Sequence, residues 1–155
     1  MWEIILLVIV IISFILLIGT IFNNKYNLAI IKIDKAEEDI NIYLEKKEDL
    51  LDRTRPIIKK ELKLKSFLDK IDEKNDNISN FQKNDFLKNI YNELFKILDE
   101  NEKLLKSEAL NSILKSLNDN EEQIVGAIKF YNDTVVDYNK LIISFPTNII
   151  AFFKG

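Results

Sequence analysis

The chain has 155 residues, with 22 basic and 25 acidic side chains and a formal net charge of −3. No basic excess is available to neutralise phosphates, which argues against nucleic-acid binding. Cysteine and histidine are both absent, which removes disulfides, thiol catalysis and thiolate metal sites, together with the commonest general base and the commonest metal ligand.

The first element is an apolar run from Ile4 to Phe22. Of its 19 positions, 16 are Ile, Leu, Val or Phe, and none is charged. A helix of this length spans about 28 Å, close to the ~30 Å hydrocarbon core of a bilayer. The run is expected to be a retained membrane anchor. A cleaved secretory signal is the alternative. Against it, Met1-Trp2-Glu3 lacks a positive charge, the run is longer than a usual h-region, and Gly19-Thr20-Ile21-Phe22-Asn23-Asn24 is no A-x-A-like cleavage site. Trp2 and Phe22 suit the interfacial belts. No Lys or Arg precedes the span, while Lys25, Lys32 and Lys35 follow it. The positive-inside rule then places the amino terminus outside and the rest in the cytoplasm, in a single-pass protein. The expected division is residues 1–24 as the anchor and residues 25–155 as one small domain.

Only three glycines and two prolines punctuate the chain, so long helices are expected throughout. The first soluble helix continues out of the membrane, and Ile33, Ala36, Ile40, Tyr43, Lys47 and Leu50 lay one stripe along it. Pro56 predicts a break or kink near Arg55. A second helix then starts at about Pro56, with Ile57, Glu61, Leu64, Leu68 and Ile71 as its stripe and Ile58, Leu62 and Phe67 alongside. Asp72–Lys83, rich in Asn, reads as a connection. Asn84 or Asp85 is placed to cap a third helix that buries Leu87, Ile90, Tyr91, Leu94 and Leu98, with Phe86 and Ile97 beside them.

The last long helix, from about Ser107 to Ser144, has the clearest period. Leu110, Leu114, Leu117, Glu121, Ile124, Ile128, Tyr131, Val135, Tyr138 and Ile142 alternate steps of four and three. This is the seam of a bundle or coiled coil. Pro146 ends the helix, and the tail from Thr147 carries Ile149, Ile150, Phe152 and Phe153, which must pack somewhere apolar. The fold class is all-α: an amino-terminal transmembrane helix continuing into an elongated antiparallel four-helix bundle.

The densest motif is Phe130, Tyr131 and Asn132, then Val135, Tyr138 and Asn139, then Phe145 and Pro146, then Ala151. Both tyrosines fall on the seam, where a phenol needs a partner. An asparagine or carboxylate on a facing helix is the expected one. Glu121, in register with them, is a candidate buried polar link. The motif reads first as a polar register device in the core, and alternatively as a site for a small polar ligand.

The run Phe130–Asn139, continuing through Phe145-Pro146 and Ala151, resembles the closing signature of the LemA family. Glu121, Ile124 and Ala127 fit the stretch before it. Ala36, Ile40, Leu44, Lys46-Lys47 and Asp49-Leu50 resemble the family's first block. The chain resembles a divergent member, with Leu51-Asp52-Arg53 where the family has Ile-Pro-Asn, Ile40-Asn41 where it has Ile-Asp, and Asn101-Glu102 where it has Tyr-Pro. The resemblance implies a bacterial protein of the cell inner (cytoplasmic) membrane, with one amino-terminal span and a helical bundle. The family includes a component of magnetosome membrane biogenesis, and members are associated with membrane proteases.

Chemistry is sparsely signalled. The acids Glu37-Glu38-Asp39 and Glu121-Glu122 point in different directions on a helix and read as solvated faces. The Glu-x-x-His pair usual in bundle di-metal sites is impossible without histidine. Gly19, Gly126 and Gly155 are too far apart for a phosphate loop. The expectation is a non-enzymatic scaffold or adaptor without cofactor or metal. It would bind the lipid bilayer through its anchor and a membrane protein, a membrane protease among the candidates, or its own copies through its bundle. The alternatives are direct membrane remodelling or an envelope-stress role acting on lipid, and a small-ligand sensor in the bundle core.

Overall fold

The computed structural model describes residues 1–61, 69 and 78–154. Among them are four α-helices and one short 3-10 turn, with no strand: α1 (Trp2–Glu61), α2 (Asn80–Glu100), the turn Leu104–Lys106, α3 (Glu108–Ile143) and α4 (Thr147–Lys154). The protein is an all-α helical bundle. The chain divides into two compact units, one of Glu37–Ile128 and one of Met1–Ala36 with Lys129–Gly155.

α1 runs without interruption through Asn23, Asn24 and Pro56, so the expected break near Arg55 does not occur. Two local facts accommodate the proline. Pro56 and Asp52, the residue whose carbonyl loses its usual donor, both face solvent, where water can replace it. On the packed side, Leu51, Thr54 and Ile58 are buried in one stripe that carries across the proline, and the Thr54 hydroxyl donates to the Leu51 carbonyl at 2.6 Å. Packing of the apolar face outweighs one missing hydrogen bond. The rest of the expected second helix, with Leu62, Leu64, Phe67, Leu68 and Ile71, lies outside the described residues, as do positions 72–77 of the expected connection.

α2 starts earlier than expected. Its cap is Ser79, not Asn84 or Asp85. The Ser79 hydroxyl accepts from the Gln82 amide, and the Gln82 side chain accepts from the Ser79 amide, a reciprocal capping box. Ser followed three residues later by Gln carries this signal in the sequence. Leu87, Ile90, Leu94, Ile97 and Leu98 are buried as the spacing implies, while Phe86 and Tyr91 are half-buried.

Within Glu37–Ile128 the helices can be ordered by their contacts. Asn80 donates to the Glu37 carbonyl at 3.3 Å, and Lys47 lies over the Tyr91 ring. Positions on α2 therefore rise with positions on α1, and the two helices run parallel. α3 returns through the short link Asn101–Ser107, and Tyr91 bonds Asn118, so α3 is antiparallel to both. Leu110, Leu114, Leu117 and Ile124 are buried along α3 as expected. Between Leu117 and Ile124 the deepest residue is Asn120, while Glu121 is half-buried.

In the other unit, residues 2–17 of α1 are exposed along their whole length. The hydroxyl side chains within the apolar run turn back onto the helix: Ser13 donates to the Ile9 carbonyl at 2.8 Å and Thr20 to the Leu16 carbonyl at 2.9 Å. Each satisfies its own donor, which lipid would otherwise leave unpaired. Lys129–Ile143 of α3 pack with this unit through Tyr138 against Tyr26. α4 follows the turn at Ser144–Pro146.

The tail departs from its expected packing. Thr147 is buried and Ile150 and Ala151 are half-buried, but Phe145, Ile149, Phe152 and Phe153 are exposed. A single eight-residue helix can turn only one face inward, and the aromatics occupy the other.

Candidate functional site

Two polar clusters stand out, one in each unit. The first centres on Lys47 in α1. Its side chain is fully buried, and its ammonium pairs with the Glu121 carboxylate, which keeps 28 % of its exposure. The ammonium also sits 5.3 Å from the centre of the Tyr91 ring. An ammonium withdrawn from water is tolerated here by an opposite charge and an aromatic face together. Tyr91 in turn donates to Asn118 Oδ1 at 2.6 Å. Burial, and then the nearby Glu121 charge, raises the Tyr91 phenol above its ordinary pKa.

Asn120, the residue before Glu121, is fully buried. Its Nδ2 donates to the Tyr43 carbonyl at 3.0 Å, pinning α3 to α1. Lys46 reaches Gln123 Oε1 at 3.1 Å on the rim, and Lys83 pairs with Glu48 at 3.1 Å between α2 and α1. Three helices are thus tied by polar contacts around Lys47, which fixes their register.

The second cluster joins α1, α3 and α4. Tyr26 is buried, and the Tyr138 hydroxyl donates to the Tyr26 hydroxyl at 3.4 Å. The rings stand 5.9 Å apart and tilted by 50°. That hydrogen bond, followed by burial and the neighbouring phenol, raises the Tyr138 pKa. Lys154 donates to Asn27 Oδ1 at 2.7 Å and lies 5.1 Å from the centre of the Tyr26 ring. Tyr26 therefore receives α3 on its hydroxyl and the end of α4 on its ring.

The motif read from the sequence is spread over several environments. Tyr131, Val135, Tyr138, Pro146 and Ala151 are half-buried, while Phe130, Asn132, Asn139 and Phe145 are exposed. The partner found for Tyr138 is another tyrosine, not the expected asparagine or carboxylate. Tyr26 precedes Ile33 by seven residues, as Ile33 precedes Ile40 and Ile40 precedes Lys47, so extending that stripe backwards reaches it. Thr134 is the motif segment's buried residue, its hydroxyl turned to the Phe130 carbonyl at 2.8 Å. Glu121 forms a polar link, with Lys47 as the partner; that lysine lies on the stripe read from the sequence without an assigned role. Among the described residues, no group of three or more acidic side chains is arranged to hold a metal ion.

The LemA family model matches residues 36–155. The chain belongs to the LemA family. The match begins at the buried Ala36 and takes in Lys47, Tyr91, Glu121 and the closing motif, while Tyr26 and the apolar run precede it. Neither the curated proteins nor the solved structures compared with the chain include a match. LemA membership, together with an apolar amino-terminal helix long enough to cross a bilayer, fits a membrane-anchored protein.

Proposed function

We propose that this LemA protein is a non-enzymatic, membrane-anchored scaffold whose bundle binds a membrane protein or a second copy of itself. The observation that carries the reading is the continuity of α1, which joins the bare apolar run to the packed stripe Ile40–Ile58 without a break. The anchor and the bundle therefore share one helix. The buried polar groups support a structural use, because Lys47, Glu121, Tyr91 and Asn120 are engaged with one another's helices. Exposed Ile42, Phe81 and Val125 offer apolar contact points on the Glu37–Ile128 unit. A membrane protease is one candidate partner. Lys25, Lys32 and Lys35, with no basic residue ahead of the span, favour a cytoplasmic bundle at the inner membrane.

Photo-cross-linking from Phe81 and Val125 in the native membrane tests the reading. A discrete protein partner or a discrete homo-oligomer is expected. Capture of only lipid and random neighbours contradicts it.

A further inference from the structure

We propose that α4 and the turn before it lie in the bilayer interface beside the end of the span, so that the chain holds the membrane at a second place. The proposal rests on the reading of Ile4–Phe22 as a membrane span.

The placement follows from contacts within one unit. Tyr26 is four residues beyond Phe22, about 6 Å along the helix. Tyr138 packs on Tyr26, and Lys154 lies on the same ring and on Asn27. The segment from Tyr138 to Lys154 thus leaves α1 and returns to it at one level, just past the apolar run. The half-burial of Ile18, Gly19, Phe22 and Asn23, after seventeen exposed residues, marks where α1 ceases to be bare.

That segment exposes an apolar set suited to an interface. Ile143, Phe145, Phe152 and Phe153 are each at least 75 % exposed, and Ile149 is 48 % exposed. Phe152 and Phe153 pack edge to face at 5.7 Å, forming one aromatic wedge. On the other side of α4, Thr147 is buried and Ile150 and Ala151 are half-buried. An amphipathic helix with aromatics outward, tied to the exit of a span, matches the chemistry of an acyl–headgroup boundary. A phospholipid surface is the occupant because the apolar run that enters it ends a turn away. Charge contributes little: Lys154 is the charged residue of α4, and Asn27 engages it. Vesicles of phosphatidylcholine alone should therefore suffice.

The test uses the full chain in such vesicles, with Trp2→Phe as background and one tryptophan introduced at a time. Ile11→Trp reports the span, Phe152→Trp reports α4, and Phe81→Trp reports an exposed site on α2. Brominated phosphatidylcholine quenches tryptophan only where the ring meets lipid. The expected result is a loss of emission of about twofold or more for Ile11→Trp and Phe152→Trp, with Phe81→Trp unchanged. Quenching of Ile11→Trp without quenching of Phe152→Trp overturns the proposal and leaves the span intact. The same result with blue-shifted Phe152→Trp emission overturns it in favour of coverage by protein, such as a second copy. Absence of quenching at Ile11→Trp overturns the span and this proposal together.

Discussion

Lys47 is entirely enclosed, yet the carboxylate it pairs with, Glu121, retains 28 % of its exposure. The pair is asymmetric, and its two partners should not be equivalent on removal. Glu121→Gln strands an ammonium out of reach of water and should cost about 3 kcal/mol, whereas Lys47→Met leaves a carboxylate that can hydrate and should cost about 1 kcal/mol or less. The double variant Lys47→Met/Glu121→Leu should recover most of the loss. Urea midpoints of the four proteins in vesicles check the order. A larger loss for Lys47→Met would contradict it.

The α2 cap offers an independent check on where that helix begins. Ser79→Ala removes the hydroxyl that accepts from Gln82 and should cost about 1 kcal/mol. Asn84→Ala and Asp85→Ala, inside the helix, should change stability by less than about 0.5 kcal/mol. Equal losses at all three positions would reject the Ser79 start.

Tyr91 predicts a pH dependence. Its pKa is raised in the folded chain, so its contribution to stability is complete below the unfolded value of about 10 and is lost as pH rises through the folded value. Unfolding midpoints of the protein should therefore fall as pH rises above about 10. Tyr91→Phe, which cannot ionise, should fall less over the same interval. Parallel slopes for the two proteins would show that Tyr91 titrates as it does in the unfolded chain.

Leu94 and Leu117 are fully buried on facing helices. Truncation of either to alanine should cost about 2–5 kcal/mol through lost burial and a residual cavity. Phe81→Ala, at a site 74 % exposed, should leave stability nearly unchanged. Circular dichroism melts of the three variants give the comparison.

What the sequence disclosed followed the strength of each local signal. The apolar run and the steps of four and three along α3 are long periodic patterns, and the buried Leu110, Leu114, Leu117 and Ile124 follow them. The steps of four and three put Glu121 on the seam, yet the adjacent Asn120 is the residue that is fully buried. The Asn120 bond to the Tyr43 carbonyl, visible only once α1 is alongside, decides which lies deeper. Pro56 misled because its local preference is overridden by a packed face on the far side of the helix. Ser79 was obscured by its Asn-rich surroundings, although its spacing to Gln82 carried the capping signal. The Tyr26–Tyr138 pair joins residues 112 positions apart, and no local pattern specifies such a partner.

The central claim is that the apolar run of α1 holds the protein in a membrane. Density-gradient flotation of native membranes after an alkaline carbonate wash measures this directly. The intact chain should float with lipid, and Ile9→Asp/Ile12→Asp, at about 3 kcal/mol per buried acid, should release it. Recovery of the intact wild-type chain in the washed supernatant would contradict the account.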